Sequence, residues 1–363
     1  MLCVGLMSGT SLDGIDAAII DTDGVKVHSF GAKLYQPYNE NFRQKLKSLI
    51  ANEHCDWLQV EKELTELHAK IVTDLLQQAG LSHKDIEVIG FHGQTIVHRP
   101  KEAITWQIGN GALLSELTKI NVVTDFRRRD LAGGGQGAPL VPIFHKAIMV
   151  AEDFPCAVLN LGGVSNITYV DKEETLLAFD CGPANAIIND ACMKYFNEPF
   201  DDSGKYAAQG ALSDANEKYI LEWLSHPYFK QPIPKSLDRN EFKKLVEQIY
   251  DLESDKYKVI ATLTKFAASA IVHAVNNNLP SMPKVIYAAG GGVNNYSLMN
   301  FMNRALPAHV KLKNIKEKGL DPDFIEAQAF AFLAARVLKG LPISFPGTTG
   351  SRQALCGAAY YRF

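Results

Sequence analysis

Apolar residues at 2–7 and again at 15–21 form two short runs of strand character, joined by a turn that ends in Asp13-Gly14. Helical spacing follows. Phe42, Leu46, Leu49 and Ile50 share one face, and Val60, Leu64, Leu67, Ile71 and Leu75 share another that stops at Gly80. A strand is predicted over 86–91, running out into His92-Gly93-Gln94-Thr95, and strands at 104–108 and 121–124 flank a helix near 112–117. The pattern then starts again at Cys156, with short strands at 157–161, 166–170 and 175–179 and a Gly162-Gly163 turn after the first. Pro183 opens a helix over 184–196, at the first-turn position where proline is tolerated. Further helices are predicted near 214–224, 241–250 and 260–277, then a strand at 285–289, a helix from about Tyr296, and a last amphipathic helix over roughly 324–339.

A strand hairpin, a glycine turn and a helix thus occur twice, beginning near residue 2 and near residue 157. The repetition predicts an α/β chain of two related domains with a cleft between them. No low-complexity linker marks the division, which falls within 130–155; domains of 1–140 and 141–363 are expected, with the last helix free to pack back on the first.

Composition narrows the function classes. The 363 residues carry 37 basic and 40 acidic side chains, a net charge of -3, which offers no broad footprint for nucleic acid or an acidic membrane. The densest basic run, Arg127-Arg128-Arg129, meets Asp130 at once and suits a local anion contact or a solvated turn. The apolar run at 2–7 is too short to span a bilayer and has no basic residues before it. Cys3, Cys55, Cys156, Cys181, Cys192 and Cys356 form no CxxC pair, so reduced thiols in a cytoplasmic protein are expected.

The chemistry-bearing stretches lie at the turns. In SGTSLDGID, Gly9 and Gly14 let backbone N–H groups approach a ligand, and Ser8, Thr10 and Ser11 add hydroxyl donors, a combination suited to phosphate oxygens. Asp13 or Asp16 is a candidate for a magnesium ion beside those phosphates. The loop lacks the lysine of a Walker sequence, and an ordinary hairpin turn is the competing reading. LNLGGVSNI at 159–167 supplies a second such turn, and AAGGGVNN at 288–295 a third, between a strand and a helix, where a nucleotide's base and sugar could lie. The Gly-rich run AGGGQGAP at 132–139 follows no strand and fails the dinucleotide test. In FDCGPAN, Asp180 ends an apolar strand just before a helix. It either caps that helix or, kept ionised by the helix N-terminus, serves as a proton acceptor. His92, Gln94, Asp125, Arg127 and Gln136 cluster at strand ends, where α/β folds bind ligands, and Arg127 offers a bidentate fork to a carboxylate. Glu326 lies on the last helix, either solvated or turned inward.

Taken in order, GLMSGTSLDGID, HGQTIVH, DFR, GGQGAPL, NLGGVSNI, FDCGPAN, AAGGGVNN and DFIEAQAFAFLA resemble the anhydro-N-acetylmuramic acid kinases over residues 5 to about 335. The resemblance implies two actin/hexokinase-like, ribonuclease H-like domains with ATP bound in the cleft, and the use of ATP and Mg2+ on 1,6-anhydro-N-acetylmuramic acid in cell-wall recycling. It implies Asp180 as the base and Gly9, Thr10, Ser11, Leu12, Asp13, Gly14, Ile15 and Asp16 as the phosphate loop. Gly162 and Gly163 form the second phosphate turn, and Gly290, Gly291 and Gly292 lie near adenosine. Thr95, Arg127, Asn185 and Glu326 join the candidate sugar-holding residues, with Arg127 or its neighbour Arg128 facing the lactyl carboxylate, and a cytoplasmic homodimer is implied. Cys181 stands where the family more often has Thr, and Ala184 where Gly is common. Two alternatives stay open at this point. One is an ordinary sugar kinase of the same superfamily, and the other is a non-catalytic, nucleotide-gated binding protein.

Overall fold

The structure, a computed structural model, describes residues 1–53, 56–173 and 175–363; Cys55 lies outside them. The chain divides into two compact units, Met1–Ile148 with Asp323–Phe363, and Met149–Pro322. The segment Asp323–Phe363, with the last helix, packs on the first sheet rather than the second.

In the first unit, β1 (Leu2–Ser8), β2 (Gly14–Thr22) and β3 (Val27–Pro37) form an antiparallel meander, and β4 (Ile86–Arg99) and β6 (Val122–Thr124) continue the sheet parallel to β1. β5 (Ile104–Ile108) pairs with the far end of β4, and β12 (Ala359–Tyr361) closes the edge beside β6. In the second unit, β7 (Cys156–Leu161), β8 (Val164–Val170) and β9 (Leu176–Pro183) form the meander. β10 (Val285–Ala289) and β11 (Lys311–Asn314) extend it in parallel. Written from the meander outward, the order is 3-2-1-4-6 in one sheet and 9-8-7-10-11 in the other. Both are the ribonuclease H-like arrangement of the actin/hexokinase fold, so the predicted repetition is one of topology as well as pattern.

Differences from the predicted elements have local causes. β3 is largely solvent-facing, and its alternation is confined to Phe30, Ala32 and Leu34, of which Ala32 and Leu34 pack on the core, too weak a signal to mark the whole strand. β4 does not stop at Phe91. It runs on through His92 and Gln94 to Arg99, with a register shift where Gly93 adopts φ +73° and the strand leaves β6 for β5. β9 likewise continues past Phe179 and takes Asp180 into the sheet.

Each unit has its own core. The Lys256–Asn278 helix is long and apolar enough to cross a membrane, but 78% of its apolar window is buried inside the fold, among the side chains of the second core. In the first unit the Ile325–Leu338 helix lies directly on β1, β2 and β4. Gly5 and Gly90 are paired across β1 and β4, and a Cβ on either would collide with the helix backbone, at the carbonyls of Ala327 and Phe330 respectively. Beside those carbonyls, the Ala331 backbone nitrogen lies against Gly5 and the Ala334 methyl against Gly90. Backbone therefore packs on backbone, at a spacing no larger residue allows.

Gly5→Ala and Gly90→Ala should each destabilise the protein by roughly 1–3 kcal/mol or more, the usual cost of overpacking a close-packed core. Denaturant unfolding of the two variants against wild type checks this, and an unchanged midpoint for both would contradict the packing described.

Candidate active site

The β1–β2 connection forms a turn in which the Leu12 N–H donates to the Gly9 carbonyl at 3.2 Å. Leu12 holds φ +57°, a left-handed conformation that disfavours a branched side chain, yet its side chain is buried in the first core. Core packing therefore holds the strained turn in place. Ile15 is also fully buried, so Leu12 and Ile15 can face a ligand only through their backbone, while Thr10, Ser11 and Asp13 are exposed. Gly9 is open to solvent-side space, as an approaching ligand requires; Gly14 is glycine for a different reason, since a Cβ there would strike β3 at Gln36.

A buried relay braces this turn from beneath. Tyr38 shares a 2.7 Å hydrogen bond with Ser8, the Ser8 hydroxyl donates to the Gln94 carboxamide oxygen, and Gln94 Nε2 donates to the Gly9 carbonyl at 3.1 Å. Tyr38 N–H and the Tyr35 hydroxyl both donate to the Asp13 carbonyl. Gln94, predicted among ligand-binding groups, is fully buried with its amide committed to this brace.

Burial, and after it the nearby carboxylates of Asp13 and Asp16, raise the phenol pKa of Tyr35 and of Tyr38, so both acids lie near these two rings. Asp13 accepts a hydrogen bond from the Ser11 hydroxyl at 2.6 Å. Among the described residues no cluster of three or more His, Cys, Asp or Glu side chains forms a closed metal cage. A pair of carboxylates still fits magnesium, which binds through one or two acids and completes its shell with water and phosphate oxygens.

Around Arg127 the first unit gathers several of the predicted residues. Arg127 Nε and Nη2 donate to His92 Nε2 at 3.1 and 2.9 Å, and Nη1 donates to the Gly137 carbonyl at 2.7 Å. Burial lowers the pKa of Arg127, and the Glu326 carboxylate counteracts it. Glu326 is reached by water yet surrounded by protein, which pushes its pKa up while Arg127 draws it down. Arg128 is exposed and lies 3.6 Å from Asp125. Asp125 itself holds φ +58°, and burial raises its pKa. Thr95 accepts a hydrogen bond from Gln107, and the Gln136 N–H donates to the Thr349 carbonyl.

In the second unit Asp180 lies inside β9, and the residue capping the Asn185–Phe196 helix is Ala184. Asp180 is therefore not a helix cap, and the helix is not what sets its charge. Instead the segment 228–237 straps it. The Tyr228 hydroxyl donates to the Asp180 carbonyl at 2.6 Å, Asp180 N–H donates to the Lys235 carbonyl, and Leu237 N–H donates to Oδ2 at 2.7 Å. Burial pushes the Asp180 carboxyl up to about 6, with the Leu237 amide opposing. Cys181, next along the strand, points the other way and is fully buried in the core. Burial drives its thiol pKa upward, and it does the same for Cys3, Cys156 and Cys192, each pushed up to about 12. These are inert core thiols.

Gly162 and Gly163 form the β7–β8 turn, and their carbonyls accept the N–H groups of Ala184, Asn185 and Ala186. The Asn185 amide donates to the carbonyls of Leu161 and Gly162, which docks the turn on the helix start and uses the donors that a ligand would otherwise meet. Gly290 holds φ +81° with Asn160 against its Cα, whereas Gly291 faces open space. Gly291 lines a cavity of about 540 Å³ with Asn185, Asn295, Asp201 and two exposed aromatic rings, Phe200 and Tyr296. Sequence reasoning missed these rings, the Tyr38 brace and the 228–237 strap. Only the two prolines in QPIPKSL hint at a stiff segment there.

A family model described as "Anhydro-N-acetylmuramic acid kinase" matches residues 1–362. The chain is 42% identical over 373 residues to an anhydro-N-acetylmuramic acid kinase of Rhodopseudomonas palustris, covering 100% of this chain and 99% of the relative. It is 42% identical over 374 residues to one of Nitrobacter winogradskyi, covering 100% of both. Among solved structures, component A of the Acidaminococcus fermentans (R)-2-hydroxyglutaryl-CoA dehydratase matches with a TM-score of 0.46 at 13% identity, over 92% of this chain and 99% of that one.

The Asp180 environment has a consequence for stability. The native carboxyl titrates at about 6 and an unfolded one near 4, so the native state takes up the proton first and sheds its burial cost as pH falls between those values. Asp180→Asn should therefore be more stable than wild type by roughly 1–3 kcal/mol above pH 7, with the difference vanishing near pH 4. Thermal melts of both proteins across that range measure it. A gap that does not close on acidification would show that burial of the charge is not the cause.

Proposed function

The chain belongs to the anhydro-N-acetylmuramic acid kinase family, and on that premise we propose how its residues divide the work of an ATP-dependent sugar kinase in peptidoglycan recycling. Water attacks C1 of 1,6-anhydro-N-acetylmuramic acid and gives a proton to Asp180. The C1–O6 bond breaks, O6 takes the γ-phosphoryl group, and ADP and N-acetylmuramic acid 6-phosphate leave. The single observation that carries the role of Asp180 is a half-buried carboxylate whose Oδ2 accepts the Leu237 N–H at 2.7 Å; burial pushes it up to about 6, which suits a base working near neutral pH. Cys181 does not interfere, since its side chain lies on the opposite face of β9.

The exposed Thr10 and Ser11 hydroxyls and the backbone of residues 9–16 bind phosphate oxygens in the first unit, and the Gly162-Gly163 turn is the phosphate-binding turn of the second. Leu12, Gly14, Ile15 and Gln94 keep that first turn in shape, and Asn185 does the same for the second. Adenosine lies against Gly290–Gly292 in the 540 Å³ cavity, its base between Phe200 and Tyr296. Asp13 and Asp16 hold magnesium, which when bound supplies charge neutralisation for the transferring phosphoryl group. Arg127 receives the lactyl carboxylate of the sugar, supported by its fork geometry and by the exposed, Asp125-facing position of Arg128. Thr95 and Glu326 meet the sugar hydroxyls, with Asp125 and Gln136 at the same end of the unit. The protein works in the cytoplasm, as a homodimer, on the strength of the family resemblance.

The experiment is product analysis with ATP, Mg2+ and the anhydro sugar in ¹⁸O-labelled water. Label at C1 together with phosphate at O6 is the expected result; unlabelled C1 would mean an ordinary sugar kinase in which Asp180 deprotonates a hydroxyl. Asp180→Asn should lose about 10²–10⁴-fold in turnover while still binding ATP. For wild type, kcat/KM should fall about tenfold per pH unit below about 6, as the base is protonated. A flat profile between pH 4.5 and 6 would remove Asp180 from that role.

A further inference from the structure

Two features of the first unit have no part in the reaction just described: the buried imidazole of His92 and the Gly-rich run at 132–139. Both touch one side chain, Arg127. His92 Nδ1 lies 2.8 Å from the Gly93 carbonyl, which makes it the N–H nitrogen and leaves the Nε2 lone pair to accept from Arg127. Opposite, the Gly137 carbonyl accepts from Nη1. Gly137 is itself held by Asp130, a buried carboxylate whose Oδ2 accepts the Gly137 N–H at 2.6 Å and whose Oδ1 accepts the Thr349 hydroxyl at 2.7 Å. Gly137 can turn its two polar groups to these two partners because it sits at φ +73°, where a Cβ would also collide with Leu131.

A guanidinium has five N–H bonds. Three of Arg127's are spent on His92 and Gly137, which leaves one on each terminal nitrogen. We infer that His92 is a positioning residue, a neutral acceptor that with the Gly137 carbonyl fixes the plane of Arg127 so that its two remaining N–H bonds meet the carboxylate of the sugar. Burial and the adjacent guanidinium both keep the imidazole uncharged. A neutral acceptor is what this task requires. The Glu326 and Asp130 carboxylates already act on Arg127, and a third carboxylate at position 92, in direct contact with the guanidinium, would orient it equally well but compete with an anionic substrate for the same charge. The Gly-rich run then serves as the second arm of the holder.

This inference rests on the reading that Arg127 binds the sugar, and a double-mutant cycle separates the two. Sugar KM and ATP KM are measured for wild type, Arg127→Leu, His92→Phe and the double variant, with His92→Gln as the variant that retains an acceptor. His92→Phe should raise the sugar KM about 10- to 100-fold, the range for losing a hydrogen bond to a charged group, while the ATP KM stays within about twofold. In the Arg127→Leu background the same change should move the sugar KM by less than about twofold, and His92→Gln should restore much of the loss. If His92→Phe has its full effect without Arg127, His92 touches the sugar itself and the inference is overturned. If Arg127→Leu leaves the sugar KM unchanged, the assignment of Arg127 fails and the inference falls with it. Should His92→Phe not fold, His92→Asn, too short to reach Arg127, takes its place in the same cycle.

Discussion

The contact on which the first unit depends is the direct seating of the Ile325–Leu338 helix on β1 and β4, permitted by two hydrogens in place of two side chains at Gly5 and Gly90. The first turn of that helix brings the Glu326 carboxylate into the field of Arg127. One turn further, the Phe330 ring lies 4.7 Å from the His92 ring and 5.2 Å from that of Phe126, walling in the imidazole. A helix held a side-chain diameter further out would leave Arg127 and His92 in wet surroundings, where a charge is screened and a neutral acceptor has no advantage over water. The polar chemistry of this unit is thus set by an apolar packing distance.

The second unit solves a different problem. Its Asp180 carboxylate is partly buried and accepts the Leu237 N–H, and burial outweighs that bond to push the carboxyl up to about 6. Glu326 is subject to the same upward push from its surroundings, but a guanidinium answers it. Both acids are raised by their surroundings, one opposed by a backbone amide and the other by a guanidinium.

Much of the architecture was legible in the sequence because it rests on local signals. Alternation and helical spacing marked most strands and helices, glycine turns marked the loops, and the two-fold recurrence of the pattern marked the repeated topology. β3 and β11 escaped because their alternation is short and weakly apolar, confined to Phe30, Ala32 and Leu34 in the one and to Leu312 among lysines in the other. The length of β4 and β9 escaped because glycine and proline within them look like stops, whereas pairing partners elsewhere in the chain carry the strands through. The candidate site was legible as a set of residue types and less so as a division of labour. Gln94 and Asn185 have the look of ligand groups, but their amides are committed to backbone carbonyls. Asp180 has the look of a helix cap, but Leu237, more than fifty residues away in sequence, supplies its donor. Such assignments depend on contacts between distant segments, which no local pattern encodes.

The return of residues 323–363 to the first unit bears on how the protein is made. As the chain leaves the ribosome, β1, β2 and β4 emerge early, but the helix that covers them is translated only after the whole of the second unit. Until then the face bearing Gly5 and Gly90 stands open, apolar and unpaired at the edge that β12 will close. The intervening unit carries its own sheet and core and can fold during that interval. The half of the molecule begun first is therefore the half completed last, and its exposed sheet is the surface that chaperones would have to shield during synthesis.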